Sequence, residues 1–375
     1  MNLKRLFKSQ AFAKGLKLRN SIIMAPMTTW SANHDLTVSD EEVRYFERRS
    51  QDVGLVLTGC SHVSANGIGF TDEFAAFDDR FIPGLTKLAS AAKSGGAPAI
   101  LQLFHAGNKA VADLIEQGDV VSASAVPSSS DPFSAQQLPR ALTEQEIQQL
   151  IVDFGQATRR AIEAGFDGVE LHGAHGFLLQ NFFSPYFNRR DDRWGGSLEN
   201  RLRFPLAVVE EVQRIVAEYA DRPFVVGFRI SPEESQDGGL KIDDFKPLID
   251  HLIEGGLDYL HISQPGGILK THPSIAPQGP VITALLVTYI NHRLPVIAAG
   301  GIRTPEQAEQ ALALGIDLVA VGQGLVIDPD WVKKVAQGEA FLTDLGEGDA
   351  IARSIPSHMW QAIKTTPGWF NLRKE

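Results

Sequence analysis

Short, unbroken apolar runs recur along the chain at residues 22–25, 54–57, 99–103, 168–171, 225–230, 259–262, 296–299 and 318–321. Each is too short for a helix and lacks apolar–polar alternation, which is the pattern of a strand buried on both faces of a parallel sheet. Between the runs the apolar period lengthens to that of a helix. In 144–164, Ile147, Leu150, Ile151, Phe154 and Thr158 share one face. Further helices are predicted over 202–219 and over 305–314, the latter with Thr304 as N-cap and Pro305 at the first helical position. Eight strands, each followed by a helix, predict an α/β fold of the TIM (β/α)8 barrel type. A doubly wound open sheet is the competing arrangement, but no Gly-x-Gly-x-x-Gly opens the first strand–helix turn, and polar chemistry collects at many strand ends.

The chain's 375 residues exceed a typical barrel by roughly a hundred. The surplus falls in an N-terminal arm, in 108–142 with a Ser-Ser-Ser-Asp-Pro loop signature at 128–132, in the 173–200 stretch, and in a C-terminal extension, 331–375. We read residues 1–375 as one domain with a barrel core over about 20–330. Lys4, Arg5, Lys8, Lys14, Lys17 and Arg19 precede the first acid, Asp35, as in a transit peptide. No apolar segment follows them, and the chain runs directly into a strand-like stretch, so a structural arm is expected.

Composition narrows the partners. A net charge of −10 gives no general attraction to nucleic acid or to anionic membranes, and no apolar run is long enough to span a bilayer. The single cysteine, Cys60, excludes an internal disulfide framework and a four-cysteine iron–sulfur cluster within the chain, and suits the reducing cytoplasm.

The strand ends carry the candidate chemistry. Pro26, Met27, Thr28 and Trp30 follow the first, offering hydroxyl donors and an aromatic wall. Cys60 follows the second among small residues that permit close approach to a flat ligand; alone it reads as a buried apolar group rather than a nucleophile. Gln102, inside an apolar strand, needs both a donor and an acceptor, which a heterocyclic imide edge would supply. Arg229 needs an anionic partner. Gly300 and Gly301 after the seventh strand, with Gly322 and Gln323 after the eighth, lie where barrels hold phosphate on backbone N–H groups. A flat ligand with an imide edge and a phosphate is met by FMN. His172 and His175 sit on the crowded loop that follows the fourth strand. Two structural histidines and a metal pair at His-x-x-His spacing are the rival readings, and no further ligand at a persuasive spacing supports a metal.

MAPMT at 24–28, the Gln102-Leu103 strand end, the run HGAHGFLLQNFFSPYFNRRDDRWGGSLENRLRF at 172–204, GFRIS at 227–231, AAGGI at 298–302 and AVGQGL at 320–325 resemble the Old Yellow Enzyme family of FMN-dependent oxidoreductases. The resemblance runs in order from about residue 3 to about residue 329. It implies that Thr28 bonds the flavin near O4 and N5, that the backbone around Cys60 follows the same edge, and that Gln102 takes the pyrimidine edge. It further implies that Arg229 sits near N1 and O2, and that Gly300, Gly301 and Gly322 cradle the phosphate. His172 and His175 would donate hydrogen bonds to a carbonyl or nitro oxygen, with Trp30 and Phe177 beside the substrate. Implied too are hydride transfer from NADH or NADPH, a ping-pong reduction of a small electron-poor acceptor (activated alkene, quinone or nitro compound), and a homodimer or homotetramer in which Arg373 could reach a neighbour's site. The lack of a cysteine cluster separates the chain from the longer iron–sulfur dienoyl-CoA reductase relatives.

Two positions depart from the family pattern. Phe177 stands where the family places a proton-donating tyrosine, and a benzene ring donates no proton. A flavin-binding protein with little turnover is therefore the second reading, and a metal-assisted lyase or hydrolase on the same barrel is a third. Gln323 stands where relatives place an arginine on the phosphate, so that Lys270 or Arg303 would have to supply the charge.

Overall fold

The computed structural model describes residues 3–128, 133–264, 266–271 and 279–373; Ser129 to Pro132 of the expected loop signature lie outside them. Eight parallel strands close into a barrel: β1 Ile22–Met24, β2 Leu55–His62, β3 Ala99–Phe104, β4 Gly168–Gly173, β5 Val225–Ile230, β6 Tyr259–Ser263, β7 Val296–Ala299 and β8 Leu318–Val321. They pair in chain order, and β8 returns to β1 through Val319↔Ile22 and Val321↔Met24. Every residue of these strands is buried, because side chains on one face fill the barrel and those on the other meet the helices.

Two strands run further than the apolar pattern foretold. β2 continues past Leu57 to His62, with a register shift between Leu57 and Cys60, so Thr58 to Ser61 are strand rather than turn. β4 continues to Gly173 and takes His172 with it; only His175 belongs to the loop. Polar side chains break the apolar run at these points, but backbone pairing with the neighbouring strand continues.

The helices include α1 Asp40–Arg49, α2 Ile82–Lys93, α3 Glu144–Glu163, α4 Leu198–Tyr219, α5 Ile242–Glu254, α6 Ile282–Ile290 and α7 Pro305–Ala313. Thr304 caps α7 with Gln307 completing a reciprocal capping box, as its sequence requires. α4 begins four residues before the expected start, since Ser197 accepts from the Asn200 amide. Among the described residues, no helix is long and apolar enough to cross a membrane.

The N-terminal arm is a hairpin of Gln10–Ala11 against Lys17–Leu18. It places Phe12 and Leu18 on Ile23, Leu55 and Tyr259, closing one end of the barrel. At the other side of the chain, buried Arg49 holds the C-terminal extension. Its guanidinium donates to the carbonyls of Leu325 (3.0 Å), Val326 (3.2 Å) and Tyr45 (3.3 Å), and of Arg353 (2.9 Å) and Ser354 (3.3 Å) in the extension. Burial lowers its pKa to about 10, which still leaves it charged at neutral pH. Arg49→Met should remove the side-chain donor from the buried carbonyls of Leu325, Val326 and Arg353 and cost on the order of 3 kcal/mol or more in chemical unfolding. A loss below about 0.5 kcal/mol, the level of an ordinary surface change, would show that the extension is held by other contacts.

Candidate functional site

The carboxyl ends of the strands surround a cleft of about 1070 Å³, with a smaller cavity of about 170 Å³ beside it; both are lined by Ser263, Gly300, Gly301, Gln323 and Trp369. The charged residues on the described wall of the larger cavity are Lys109, Lys270 and Arg303, and none is acidic. Such a cleft suits an anionic ligand.

The strand register aligns the polar groups. Cys60 pairs with Gln102, Gln102 with Glu170, His172 with Arg229, and Arg229 with His261, which sets these residues on five adjacent strands. Within this belt Gln102 already has partners: its Oε1 accepts from Cys60 Sγ at 3.3 Å, and its Nε2 donates to Glu170 Oε1 at 2.6 Å. The second N–H and second carbonyl lone pair remain for a ligand. Burial pushes the Cys60 thiol far up, and Thr28 lies within hydrogen-bonding reach of it. Cys60 is thus a protonated, inert thiol. Gly59 beside it serves strand packing, because a Cβ there would meet the Met27 carbonyl at 2.6 Å.

Arg229 is buried, donates from Nη2 to Ser263 Oγ at 3.0 Å, and has no hydrogen-bond partner at Nε. Ser263 Oγ also lies 2.7 Å from His175 Nε2, linking the guanidinium to the histidine pair. His175 has a left-handed backbone, φ 59°, steadied by its N–H on Ser231 Oγ at 3.2 Å. His172 Nδ1 accepts from the Ala174 N–H at 3.3 Å, so a neutral ring carries its proton on Nε2. The two rings lie 5.0 Å apart at 73°. Burial holds both well below the usual histidine range, with the charge of Arg229 and, for His172, the neighbouring His175 adding to it. They are neutral donors. The Phe177 ring stands edge-on to His172 at 4.8 Å and packs against Phe104 at 5.0 Å; Lys109 Nζ lies 6.0 Å from its centre.

At the glycine turns, Gly300 has φ +143° and a Cβ on it would meet the Gln264 carbonyl at 2.5 Å, so no other residue fits. Gly301 has φ +70°, and Gly322 begins a short helix against Met27. Gln323 lines both cavities, and its side chain is engaged within the protein: its Oε1 accepts from Arg303 Nε at 2.8 Å and its Nε2 donates to the Trp369 carbonyl. Its side chain positions Arg303, which lines the larger cavity too. Pro26 and Met27 line the smaller cavity. Trp30 stands one layer back, outside the cleft lining, 5.5 Å from Phe70 and 5.6 Å from Trp369, which form the wall in its place.

Several site residues escaped the sequence reading. Glu170 and His261 interrupt apolar strands just as Gln102 does, and that signal was available. Trp369 gave none, because it reaches the cleft only when the C-terminal extension folds back. Arg373 pairs with Asp344 at 2.9 Å and with Asp349 at 2.5 Å of its own chain. No group of three or more His, Cys, Asp or Glu side chains suited to a metal occurs among the described residues.

Under the first strand end, Glu42 is fully buried; it accepts from Thr29 Oγ1 at 2.6 Å and from the Ser39 N–H at 3.1 Å. Burial raises its pKa from 4.5 to about 7 despite these donors. Its stabilising contribution is therefore complete below pH 4.5 and is lost as pH rises through about 7. Glu42→Gln keeps the acceptor for Ser39 and removes the titration. Its stability relative to the parent should grow by about 3 kcal/mol between pH 4.5 and pH 8. Urea unfolding at the two pH values measures this, and an unchanged difference would refute it.

Residues 5–341 match the model of the NADH:flavin oxidoreductase / NADH oxidase family. The chain is 42% identical over 369 residues to the probable NADH-dependent flavin oxidoreductase YqiG of Bacillus subtilis (strain 168), covering 98% of this chain and 97% of that protein. It is 38% identical over 363 residues to the NADH:fumarate oxidoreductase of Klebsiella pneumoniae (strain 342), but spans only 38% of that longer protein. Among solved structures, morphinone reductase superposes with a TM-score of 0.76 at 26% identity, covering 90% of this chain and 91% of that one. The old yellow enzyme homologue from Zymomonas mobilis superposes with a TM-score of 0.78 at 24% identity, covering 91% and 94%, a likeness of fold.

Proposed function

Because this chain belongs to the NADH:flavin oxidoreductase / NADH oxidase family, we propose that it holds FMN in the cleft and uses it to pass hydride from NADH or NADPH to a small electron-poor acceptor. The observation that carries this reading is that the glycine turns and a buried, under-bonded guanidinium line the same cavity, beside a cleft that adds Arg303. Gly300, Gly301 and Gly322 with Arg303 suit the phosphate; the Nε of Arg229 is a buried donor with nothing to bond. FMN brings both an anionic tail and hydrogen-bond acceptors on a flat ring, and when bound it supplies the hydride relay.

The protein's own groups then have defined tasks. Arg229 and Gln102 would hold the ring's polar edge, Arg229 by offsetting negative charge and Gln102 through one N–H and one carbonyl lone pair. His172 and His175 hold the acceptor oxygen by neutral hydrogen-bond donation, which stabilises charge developing there as hydride arrives at the carbon. The donor and the acceptor visit the same cleft in turn, so the kinetics are ping-pong. Phe177 withholds a proton from the other carbon, which favours quinones and nitro compounds over simple alkenes.

Purified protein supplied with FMN should show a bound-flavin spectrum that bleaches anaerobically with NADH or NADPH and recovers with a quinone, nitro compound or enone. Failure to take up flavin would sink the proposal. Phe177→Tyr should speed alkene reduction by about tenfold or more and leave quinone reduction nearly unchanged; equal effects on both would refute the assigned part of Phe177. Since both histidines stay neutral well below their ordinary range, the acceptor half-reaction should show no histidine inflection between pH 6 and pH 8 in stopped-flow traces. An inflection near 6.5 abolished by replacing either histidine would contradict the neutral-donor assignment.

A further inference from the structure

Glu170 lies wholly inside the barrel, with no exposed surface, on the strand that carries His172. Three donors converge on it. Gln102 Nε2 bonds Oε1 at 2.6 Å, while Tyr259 Oη and His261 Nδ1 bond Oε2 at 3.1 Å and 2.9 Å. A site made of donors alone selects the ionised carboxylate. Burial by itself would raise the carboxyl, but His261, Arg229 and Gln102 together hold it below its usual range. Tyr259 stays a neutral phenol because burial and Glu170 push it far up.

The same carboxylate answers the charge of Arg229. No salt bridge engages Arg229 among the described residues, yet Glu170 is the acid whose field reaches it. The guanidinium keeps its place at the smaller cavity while its counter-charge sits deeper in the barrel.

We propose that Glu170 is a positioning residue for the cofactor site, fixing which way the Gln102 amide faces and offsetting the Arg229 charge felt by a bound flavin. This rests on the FMN reading above. An ionised carboxylate admits only the NH2 of Gln102, so the amide cannot reverse, and its carbonyl keeps the side toward Cys60. Glutamine at 170 would present an NH2 of its own to one of the three donors; facing Gln102, it would turn that amide around. The offset matters for reactivity because an uncompensated guanidinium stabilises a reduced, anionic flavin more strongly, raising its potential and weakening it as a donor to acceptors.

Two variants loaded with FMN test this, with potential measured by equilibration against reference dyes. Glu170→Gln should shift the flavin potential to more positive values and weaken FMN binding by about tenfold, roughly the loss of one good hydrogen bond. Tyr259→Phe conserves the packing on Phe12 and removes one donor from Oε2, leaving the charge less compensated. It should shift the potential the opposite way, to more negative values. A merely structural role would move stability without opposed shifts in potential. Unchanged potentials in both variants, or a positive shift in Tyr259→Phe, would overturn the proposal. Should Glu170→Gln fail to fold, the sign of the Tyr259→Phe shift decides alone. If the parent protein takes up no flavin, it is the functional reading that fails.

Discussion

A buried guanidinium loses most of its solvation and needs a counter-charge, and the arrangement of Arg229 and Glu170 meets that constraint without a salt bridge between them. A contact pair would have consumed the donor face of Arg229. Setting the carboxylate on another strand, among Gln102, Tyr259 and His261, balances the charge and leaves the guanidinium facing the cleft. Parallel strand register makes this separation rigid, because each partner is fixed by backbone pairing rather than by a flexible side chain.

The same economy of partners runs outward. Ser263 links Arg229 to His175, and the neutral histidines lean on Phe177, which packs on Phe104. Keeping the histidines uncharged beside a guanidinium avoids two further buried cations and still supplies N–H donors. At the glycine turns, the Gln323 amide is taken up by Arg303 and the tail, and Arg303 is the cation that lines the cleft there.

The C-terminal extension belongs to the site although it lies far from it in sequence. Arg49 ties it to the end of α1 and to the segment after β8, and Trp369 then joins Phe70 on the cleft wall. Aromatic contacts at 5.6 Å to Trp30 and 5.0 Å to Phe133 hold that wall together. Trp30 packs behind the rings of Phe70 and Trp369.

Local pattern decided the barrel, the helix caps and the glycine turns, because strand burial, capping boxes and positive φ act over a few residues and leave their mark in composition. The eight apolar runs, Thr304-Pro305 and Gly300-Gly301 were legible for that reason. Tertiary structure alone decided who partners whom. Gln102 looked as though it awaited a ligand on both sides, yet the barrel's curvature brings Cys60 and Glu170 to it. His172 looked like a loop residue, yet pairing with β5 draws it into β4. Trp369 acquired its place only through long-range folding of the tail. Hydrogen-bond partnership and charge compensation across a barrel depend on register and closure, and no stretch of sequence contains either.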